Sequence, residues 1–446
     1  MRIIVATGLN AGSAEYKNMG DVAMLQVAVR RLSSLWPDGR IDVLTDSPPN
    51  LDRYCPGARP LPRAGCSCWV EDRILLGRFH ESLPEWASAR LSALKRTAGQ
   101  HWPTLLELFI RFRLGLRDGR GRSGDFKAFL EALKNCDLLV VCGSGGFADS
   151  CREWNLWILG TMDAAIRRGI PVAMFGQGMG PLSDPEVLLR AADVLPKVNL
   201  ITLRGSRGGK ELLESFGVAA ANVLTTGDEA IELAYAARVQ EPGNAVGINL
   251  RVASYAGVAT NAIENVGSVL QEFARLHGVS LLPIPIAFHE SAHDHDTIRQ
   301  LLAGLDDESD GGLALNTPRM LIEQTARCRI VVTGAYHAAV FALAQGIPVV
   351  CLFNSHYYQT KFEGLEDLFG PGCAIVGLSD PDLRGRLTIA IEEAWDSAEG
   401  VRSPLLQSAR SQVERSHGAY QRVKNLLQSE VNRAPGLVRS SATGEA

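Results

Sequence analysis

The sequence lacks the long apolar runs and the charge bias that mark several protein classes. No apolar stretch reaches the roughly 18 to 20 residues that a membrane-spanning helix needs. The first residues, MRIIVATGLN, are typical of a strand rather than of a basic-then-apolar leader. The formal net charge is −4, whereas nucleic-acid-binding proteins usually carry a basic excess. We therefore expect a cytoplasmic protein without a signal peptide, which binds no nucleic acid and contacts a membrane at most peripherally.

The nine cysteines lack the spacing of a disulfide framework or of a zinc site. Their number is odd, no C-x-x-C pair occurs, and several lie inside apolar, strand-like runs. Only one residue separates Cys66 from Cys68, which is poor spacing for zinc. This usage predicts reduced, buried thiols.

A dinucleotide-binding fingerprint is also missing. The first strand leads into TGLNAGSAEYKNMGD rather than into the glycine pattern that holds a pyrophosphate. We therefore predict an activity that needs no cofactor.

Short β-rich runs alternate with helical patterns along almost the whole chain. The predicted strands are 2–8, 41–46, 137–145, 171–178, 200–205 and 222–228 in the first half, and 245–251, 280–286, 329–335, 348–353 and 373–378 in the second. Intervening stretches such as DVAMLQVAVRRLSSL have a 3.6-residue period. This alternation predicts an α/β fold with parallel sheets that helices cover on both faces.

A polar stretch with proline and glycine, ARVQEPGNA at 237–245, is the best place to divide the chain. It predicts two Rossmann-like domains with doubly wound parallel sheets, an N-terminal one over 1–240 and a C-terminal one over 241–430. A disordered tail is predicted over 431–446. Two such domains that face each other create a cleft, where ligands bind in this architecture.

The segment from about 70 to 135 departs from the alternation and reads as a helical insertion. Its centre, HWPTLLELFIRFRLGLRDGRGR, combines an apolar face with a basic end. The predicted apolar face consists of Trp102, Leu105, Leu106, Phe109, Ile110, Phe112 and Leu116. Two interpretations remain open, a solvated helical insertion and a membrane-surface contact near a lipid-linked substrate.

Three glycine-bearing turns follow predicted strands, at KNMGDVAML (17–25), VCGSGGFADS (141–150) and FGQGMGPL (175–182). Glycines at these positions let the backbone approach a ligand closely. In the first turn, Asp21 is suited either to cap the helix that begins there or to bind a ligand hydroxyl.

Charged and aromatic side chains end further strands. Arg204 is placed to bind a carboxylate or phosphate, or to pair with an acid such as Asp228. His337, beside Tyr336, lies at a strand-to-helix junction, and Lys361 follows on the loop after the next strand. The acidic and histidine-rich run His289–Asp296 permits three interpretations, namely a metal site, a substrate loop or a solvated loop, and its spacing fits no metal template.

Taken in order, these motifs resemble the polysaccharide pyruvyltransferase family. The matching elements are Asn18-x-Gly20-Asp21, Gly145-Gly146 with Asp149, GQGMGPL, Arg204-x-Ser206, GINLR, and the stretch from His337 through Val349. Family members are two-domain, glycosyltransferase-B-like enzymes that transfer the enolpyruvyl group of phosphoenolpyruvate to a sugar, usually closing a ketal across two hydroxyls. The resemblance implies a transferase of exopolysaccharide or cell-wall biosynthesis, whose acceptor is a sugar or polysaccharide, free or lipid-linked.

The resemblance also implies roles for single residues. His337 would be the general acid, Asp149 the general base, and Arg204 with Lys361 the electrostatic clamp on the donor. No metal is implied. The implied substrate-binding set is Asn18, Gly20, Asp21, Gly145, Gly146, Gln177, Gly178, Ser206, Tyr336 and Lys361.

One position departs from the family pattern. The family's Arg-Leu-His is replaced by Ala335-Tyr336-His337, so the expected donor-binding arginine is absent. Truncating one partner of a buried ion pair costs about 2 to 5 kcal/mol. Either Lys361, Arg204 or Arg207 compensates, or the donor has changed. The alternatives are glycosyl transfer from a nucleotide sugar, with Tyr336 as a stacking or hydroxyl partner, and a non-catalytic carbohydrate-binding paralogue.

Overall fold

The computed structural model describes residues 1–7, 17–71, 84–117, 120–205, 207–241, 243–251, 260–288, 293–306 and 308–433. Within these ranges the strands are β1 (Arg2–Ala6), β2 (Lys17–Asn18), β3 (Arg40–Thr45), β4 (Arg59–Pro62), β5 (Leu138–Val141), β6 (Ser144–Phe147), β7 (Val172–Met179), β8 (Leu200–Leu203), β9 (Val223–Thr225), β10 (Ala245–Asn249), β11 (Leu281–Pro283), β12 (Ala287–Phe288), β13 (Cys328–Thr333), β14 (Val349–Phe353) and β15 (Cys373–Gly377).

The α-helices, again within the described ranges, are α1 (Met19–Leu35), α2 (Pro48–Tyr54), α3 (Arg63–Val70), α4 (Glu85–His101), α5 (Pro103–Arg117), α6 (Arg120–Lys134), α7 (Arg152–Ile166), α8 (Pro185–Val194), α9 (Gly209–Ser215), α10 (Ile231–Ala236), α11 (Thr260–His277), α12 (Asp294–Leu302), α13 (Pro318–Thr325), α14 (Tyr336–Ala344), α15 (His356–Phe369) and α16 (Leu383–Arg433).

Two parallel sheets form the framework. The first has the strand order β4-β3-β1-β5-β7-β8-β9, with β6 paired to β7, and the second has the order β11-β10-β13-β14-β15. Strands β5, β8 and β10 are buried at every residue because helices cover both faces of their sheets. The predicted α/β fold with parallel sheets is confirmed.

All eleven predicted strands are present, with bounds that shift by a few residues. The predicted run 137–145 is divided into β5 and β6. Strand β4 was not predicted because it contains Pro60 and Pro62, which only an edge position such as this one tolerates well. The chain passes from the first sheet to the second between Thr225 and Ala245.

The two halves are also joined directly. Strand β2 pairs with β12 in an antiparallel ladder, in which Asn18 lies opposite Ala287. Helix α16 returns to the first half, where Tyr420 stacks on Phe175 with ring centroids 3.7 Å apart. The Tyr420 hydroxyl donates a hydrogen bond to the buried carboxylate of Glu229.

The insertion is helical where it is described, since α4, α5 and α6 occupy most of it. Its predicted single apolar face was wrong, because the structure divides those residues between two faces of α5. Leu106 and Ile110 are buried in the core on one face of the first sheet, whereas Leu105 and Phe112 are exposed. In the described part of the chain, no helix has the length and apolarity to cross a bilayer.

The remaining predictions about the termini and the thiols have mixed outcomes. Eight of the nine free cysteines are buried, as expected, and Cys151 is partly exposed. Helix α16 extends from Leu383 to Arg433, into the start of the predicted tail. Most of the tail predicted over 431–446 lies outside the described residues.

Candidate active site

A cavity of about 210 Å³ lies where the two halves meet, at the carboxyl ends of strands from both sheets. This is the place where ligands bind in folds of this kind. The lining residues are Asn18, Asp21, Ser144, Gly145, Gly146, Ser150, Cys151, Trp154, Arg204, Arg251, Ile286, Ala335, Tyr336, His337, Tyr357, Tyr358 and Lys361. Eight of the residues predicted for the site therefore lie together.

Arg204 follows β8, and its main-chain N–H donates to the carbonyl of Gln177 in β7. Its guanidinium Nη1 lies 3.4 Å from Oδ2 of Asp228, and both side chains are almost fully buried. The same carboxylate oxygen lies 3.5 Å from Nε2 of His337, across the cavity floor. The two interpretations of Arg204 therefore hold together, because it pairs with Asp228 and also lines the cavity.

The surrounding charges set the protonation of the two buried carboxyls. Burial raises the pKa of Asp228, but the nearby charges of His337 and Arg204 and an N–H from Ala230 outweigh it, so the net pKa is lowered. Burial also raises the pKa of Asp21, and there the opposing charges of His337 and Arg204 are too weak to reverse the direction. The surroundings therefore favour the ionised form of Asp228, whereas Asp21 accepts a proton more readily.

A second buried cation, Arg251, lines the cavity from the other half. Its Nη1 lies 3.8 Å from Oδ1 of Asp294, and both side chains are buried. Oδ2 of Asp294 accepts hydrogen bonds from Asn249 Nδ2 at 2.9 Å and from the main-chain N–H groups of Ile286 at 2.8 Å and Ala287 at 2.9 Å. The carboxylate is therefore fixed by the backbone, with its other oxygen directed to the arginine.

Arg251 and Ala335 occupy adjacent strand ends. Strand β10 pairs with β13, with Asn249 opposite Thr333, and Gly334 donates its N–H to the Asn249 carbonyl at 3.0 Å. A side chain on Gly334 would lie 3.1 Å from the main-chain nitrogen of Arg251. The arginine missing at position 335 is therefore matched by an arginine at the end of the neighbouring strand. Sequence reasoning missed it, although its place directly after a strand resembles that of Arg204.

The helix that begins at Tyr336 opens onto the cavity. Its N-cap, Ala335, makes no side-chain capping bond, and helix N-termini attract anions through their free N–H groups. Arg204 lies over the Tyr336 ring, 4.3 Å from its centroid, so Tyr336 supports the guanidinium from the other half.

Lys361 completes the cationic lining and is held across the cleft. Its Nζ donates to the hydroxyl of Tyr357, which in turn donates to the carbonyl of Gly145 at 2.9 Å. Burial lowers the pKa of Lys361 well below its usual value, and the positive charge of Arg204 lowers it further. The amine therefore loses its proton far more easily than that of a surface lysine.

Two positions near the cavity require glycine because a neighbouring side chain approaches the main chain closely. A Cβ on Gly20 would lie 1.9 Å from the His337 ring, and one on Gly145 would lie 2.4 Å from the Arg204 guanidinium. The absence of these side chains lets the N-terminus of α1 and the β6 strand contact the catalytic candidates directly.

Asp149 does not line the cavity. It is exposed, and its carboxylate accepts hydrogen bonds from the N–H and hydroxyl of Ser183 and the N–H of Asp184. Its slight burial raises the pKa, but these hydrogen bonds lower it by more. A carboxylate held in this way is a weaker base, and its place outside the cavity lining favours another residue for the base role that the resemblance implied.

Other predicted residues also lie outside the cavity lining. Gln177 is buried and donates to the carbonyls of Cys142 and Phe175, which is a structural role, and Gly178 packs beneath Arg204. Arg207 pairs with Glu363 and Asp367 on the surface and cannot replace the missing arginine. Ser206 lies outside the described residues.

The His289–Asp296 run is described only from residue 293 onward. The three interpretations of this run therefore concern residues that lie partly outside the described ranges. Its described part contains Asp294, the buried partner of Arg251. Across the described ranges, no group of three or more His, Cys, Asp or Glu side chains is arranged to hold a metal ion.

Comparison with known proteins gives a family and a fold. The family model "Polysaccharide pyruvyl transferase" matches residues 18–356. Among solved structures, UDP-GlcNAc 2-epimerase from Neisseria meningitidis bound to UDP-GlcNAc is similar, with a TM-score of 0.55 and 12% identity over 96% of this chain and 100% of that one. The S. aureus MnaA–UDP structure has a TM-score of 0.53 and 13% identity, covering 97% of each chain.

A glycosyltransferase of kitacinnamycin is also similar, with a TM-score of 0.50 and 14% identity over 96% of this chain and 98% of that one. At these identities the likeness establishes the fold, which is of the glycosyltransferase-B type. No curated protein matches significantly.

Proposed function

The chain belongs to the polysaccharide pyruvyl transferase family, and on that premise we propose that it transfers the enolpyruvyl group of phosphoenolpyruvate to hydroxyls of a cell-surface polysaccharide or its lipid-linked precursor. The observation that carries the proposal is the convergence of Arg204, Arg251 and Lys361 on one cavity. Phosphoenolpyruvate presents a carboxylate and a phosphate, and two buried guanidinium groups with an amine match that pair of anions. The arginine absent at position 335 is replaced in this proposal by Arg251.

The reaction needs a proton donor at the methylene carbon. His337 is the group for this role, because it lines the cavity and is held by Asp228 at 3.5 Å. One sugar hydroxyl adds to C2 of the donor while C3 takes a proton from His337 and the hydroxyl loses its own. A second hydroxyl then attacks C2, inorganic phosphate leaves with the balancing proton, and a ketal remains.

The proton of the attacking hydroxyl requires a base, and we assign that role to Asp21 instead of Asp149. Asp21 lines the cavity beside His337, and burial raises its pKa, which makes the carboxylate a stronger base than an exposed aspartate. Arg204 and Lys361 would hold the donor while the charge on the departing phosphate grows.

The acceptor side of the cavity is aromatic. Trp154, Tyr357 and Tyr358 line it, and flat apolar rings with polar edges are well suited to the faces of a sugar.

The first experiment is calorimetric titration of the purified chain with phosphoenolpyruvate, with a UDP-sugar as the alternative titrant. We expect a dissociation constant between micromolar and low millimolar for phosphoenolpyruvate. No heat at several millimolar from a folded protein would contradict the donor assignment. Binding of the UDP-sugar instead would favour glycosyl transfer, and binding of glycan alone would favour a non-catalytic carbohydrate-binding protein.

The variant His337→Gln separates binding from chemistry. It should retain donor affinity within a few-fold but lower the rate of phosphate release by about 10²- to 10⁴-fold, the usual effect of losing a general acid. An unchanged rate would remove His337 from the mechanism.

A further inference from the structure

Helix α5 carries apolar side chains on two faces, and only one of them is covered. Leu106, Ile110 and Leu114 pack into the core of the first half. On the other side, Leu105, Leu108, Phe109 and Phe112 are between 45% and 63% exposed. Their i, i+3, i+4, i+7 spacing places them on one stripe. Trp102 directly precedes the helix and is 60% exposed.

We call these five residues, Trp102, Leu105, Leu108, Phe109 and Phe112, the α5 outer face. Other strongly exposed apolar residues, such as Leu189 in α8 and Leu276 in α11, lie on separate helices. Single exposed leucines are normal on a protein surface, whereas a contiguous stripe with three aromatic rings marks an interaction surface.

The charge around this face identifies the partner. From Glu85 to Lys134 the sequence has ten Lys and Arg against five Asp and Glu, a formal net charge of +5, although the whole chain carries −4. The only acid within α5, Glu107, is paired with Arg111 at 2.6 Å. An apolar stripe inside a basic segment is the pattern that binds anionic bilayers from one side.

We propose that the α5 outer face docks on the surface of an anionic lipid bilayer. Its rings and leucines enter the interfacial region, and exposed basic side chains of the segment, such as Arg111, lie at the level of the headgroups. A second copy of the chain is a poorer occupant, because two segments of charge +5 would then face each other. The contact is peripheral, in keeping with the absence of a spanning helix among the described residues.

The docking surface is connected to the cavity by packing. Helix α6 packs against α3, and α3 packs against α7, which begins at Arg152 beside the lining residues Cys151 and Trp154. A protein held on a bilayer through α5 would therefore keep its cavity at a fixed position relative to the lipid surface. This inference depends on the exposed face and its charge, and it holds whichever donor the cavity binds.

The test is co-sedimentation of the full chain with phosphatidylcholine vesicles that contain or lack phosphatidylglycerol. We expect binding to the anionic vesicles that weakens as salt is raised. The variant Phe109→Ser/Phe112→Ser should reduce this binding by about tenfold or more, because it removes two of the three rings. The matched control, Leu189→Ser/Leu276→Ser, removes two apolar side chains elsewhere that are even more exposed, and it should bind like the wild type.

Three results would overturn the proposal. The wild type could fail to sediment with anionic vesicles, or Phe109→Ser/Phe112→Ser could bind as well as the wild type. Alternatively, light scattering could find a dimer that this variant dissociates while lipid binding is unchanged, which would assign the face to a second copy. Both variants alter exposed residues, and unchanged thermal unfolding would establish that they remain folded.

Discussion

Each half of the chain contributes one buried arginine–aspartate pair to the cavity, and the two pairs differ in what else holds the aspartate. In the first half, Asp228 lies 3.4 Å from Arg204 and 3.5 Å from His337. In the second half, Asp294 lies 3.8 Å from Arg251, and its other oxygen accepts three hydrogen bonds, two of them from the main chain. One aspartate is shared with the proposed acid, and the other is fixed by the fold.

This difference separates donor binding from proton transfer. Both arginines add positive charge where a donor anion would lie, but only the first is coupled through its aspartate to His337. Loss of the first pair should therefore affect both binding and proton transfer, whereas loss of the second should affect binding alone. The predictions below test that separation, from the largest expected effect to the smallest.

The largest effect is expected from Arg204→Ala. It removes a cation from the donor site and leaves Asp228 buried with His337 as its remaining charged partner. Losing one member of such a pair costs about 2 to 5 kcal/mol, which corresponds to roughly 30- to several-thousand-fold in donor affinity. Calorimetric titration with phosphoenolpyruvate measures it, and Arg207→Ala, which alters a surface pair, is the control expected to bind normally.

A smaller effect is expected from Arg251→Gln, about 10- to 100-fold in donor affinity, because Asp294 keeps its other hydrogen bonds. The rate at which the bound donor reacts should change little in Arg251→Gln, whereas Arg204→Ala should lower it. The double variant Arg251→Gln/Ala335→Arg should recover part of the affinity, since the two positions are adjacent strand ends. Equal affinity in Arg251→Gln and the wild type would exclude Arg251 from the donor site.

Lys361 should make donor binding depend on pH. Its pKa is lowered by burial and by Arg204, so the amine loses its charge as pH rises through that lowered pKa, and anion affinity falls. Lys361→Arg keeps its charge at every accessible pH and should flatten this decline. Dissociation constants measured from acidic to alkaline pH test it, and identical pH profiles for the two proteins would refute the assignment.

The smallest effect on donor affinity is expected for a substitution of Glu229. This residue follows Asp228 in the sequence but does not line the cavity. Burial raises the pKa of Glu229 to about 7, against an ordinary 4.5. The folded state therefore binds a proton more tightly than the unfolded state, so stability is greatest below pH 4.5 and falls as pH rises to about 7. The loss is at most about 3 kcal/mol. Glu229→Gln should remove this decline in chemical denaturation curves, with donor affinity unchanged.

Most of the fold could be predicted from the sequence because hydrophobic strands and amphipathic helices alternate so regularly. The failures have local causes. The prolines of β4 hid this strand from prediction. The apolar residues of α5 were assigned to one face because they form one wide apolar sector, and periodicity does not reveal which part of it the core covers. The periodicity of a segment says which residues share a face and does not say what that face contacts.

The site was predictable in part. Strand ends were the useful signal, since Arg204, His337 and Lys361 all line the cavity as expected. Asp149, predicted as the base, lies outside the cavity lining because its carboxylate accepts hydrogen bonds from Ser183, just before α8. Arg251 was missed because pairing of β10 with β13, which brings it beside Ala335, is a long-range feature that no local pattern encodes.

The most direct test of the central claim is a crystal structure of the chain with phosphoenolpyruvate bound. We expect the donor in the cavity, with its oxygens about 2.7 to 2.9 Å from guanidinium nitrogens of both Arg204 and Arg251, the usual distance for charge-assisted hydrogen bonds. A donor that contacts Arg204 but lies out of reach of Arg251 would contradict the claim that the two halves share the anion through their paired arginines.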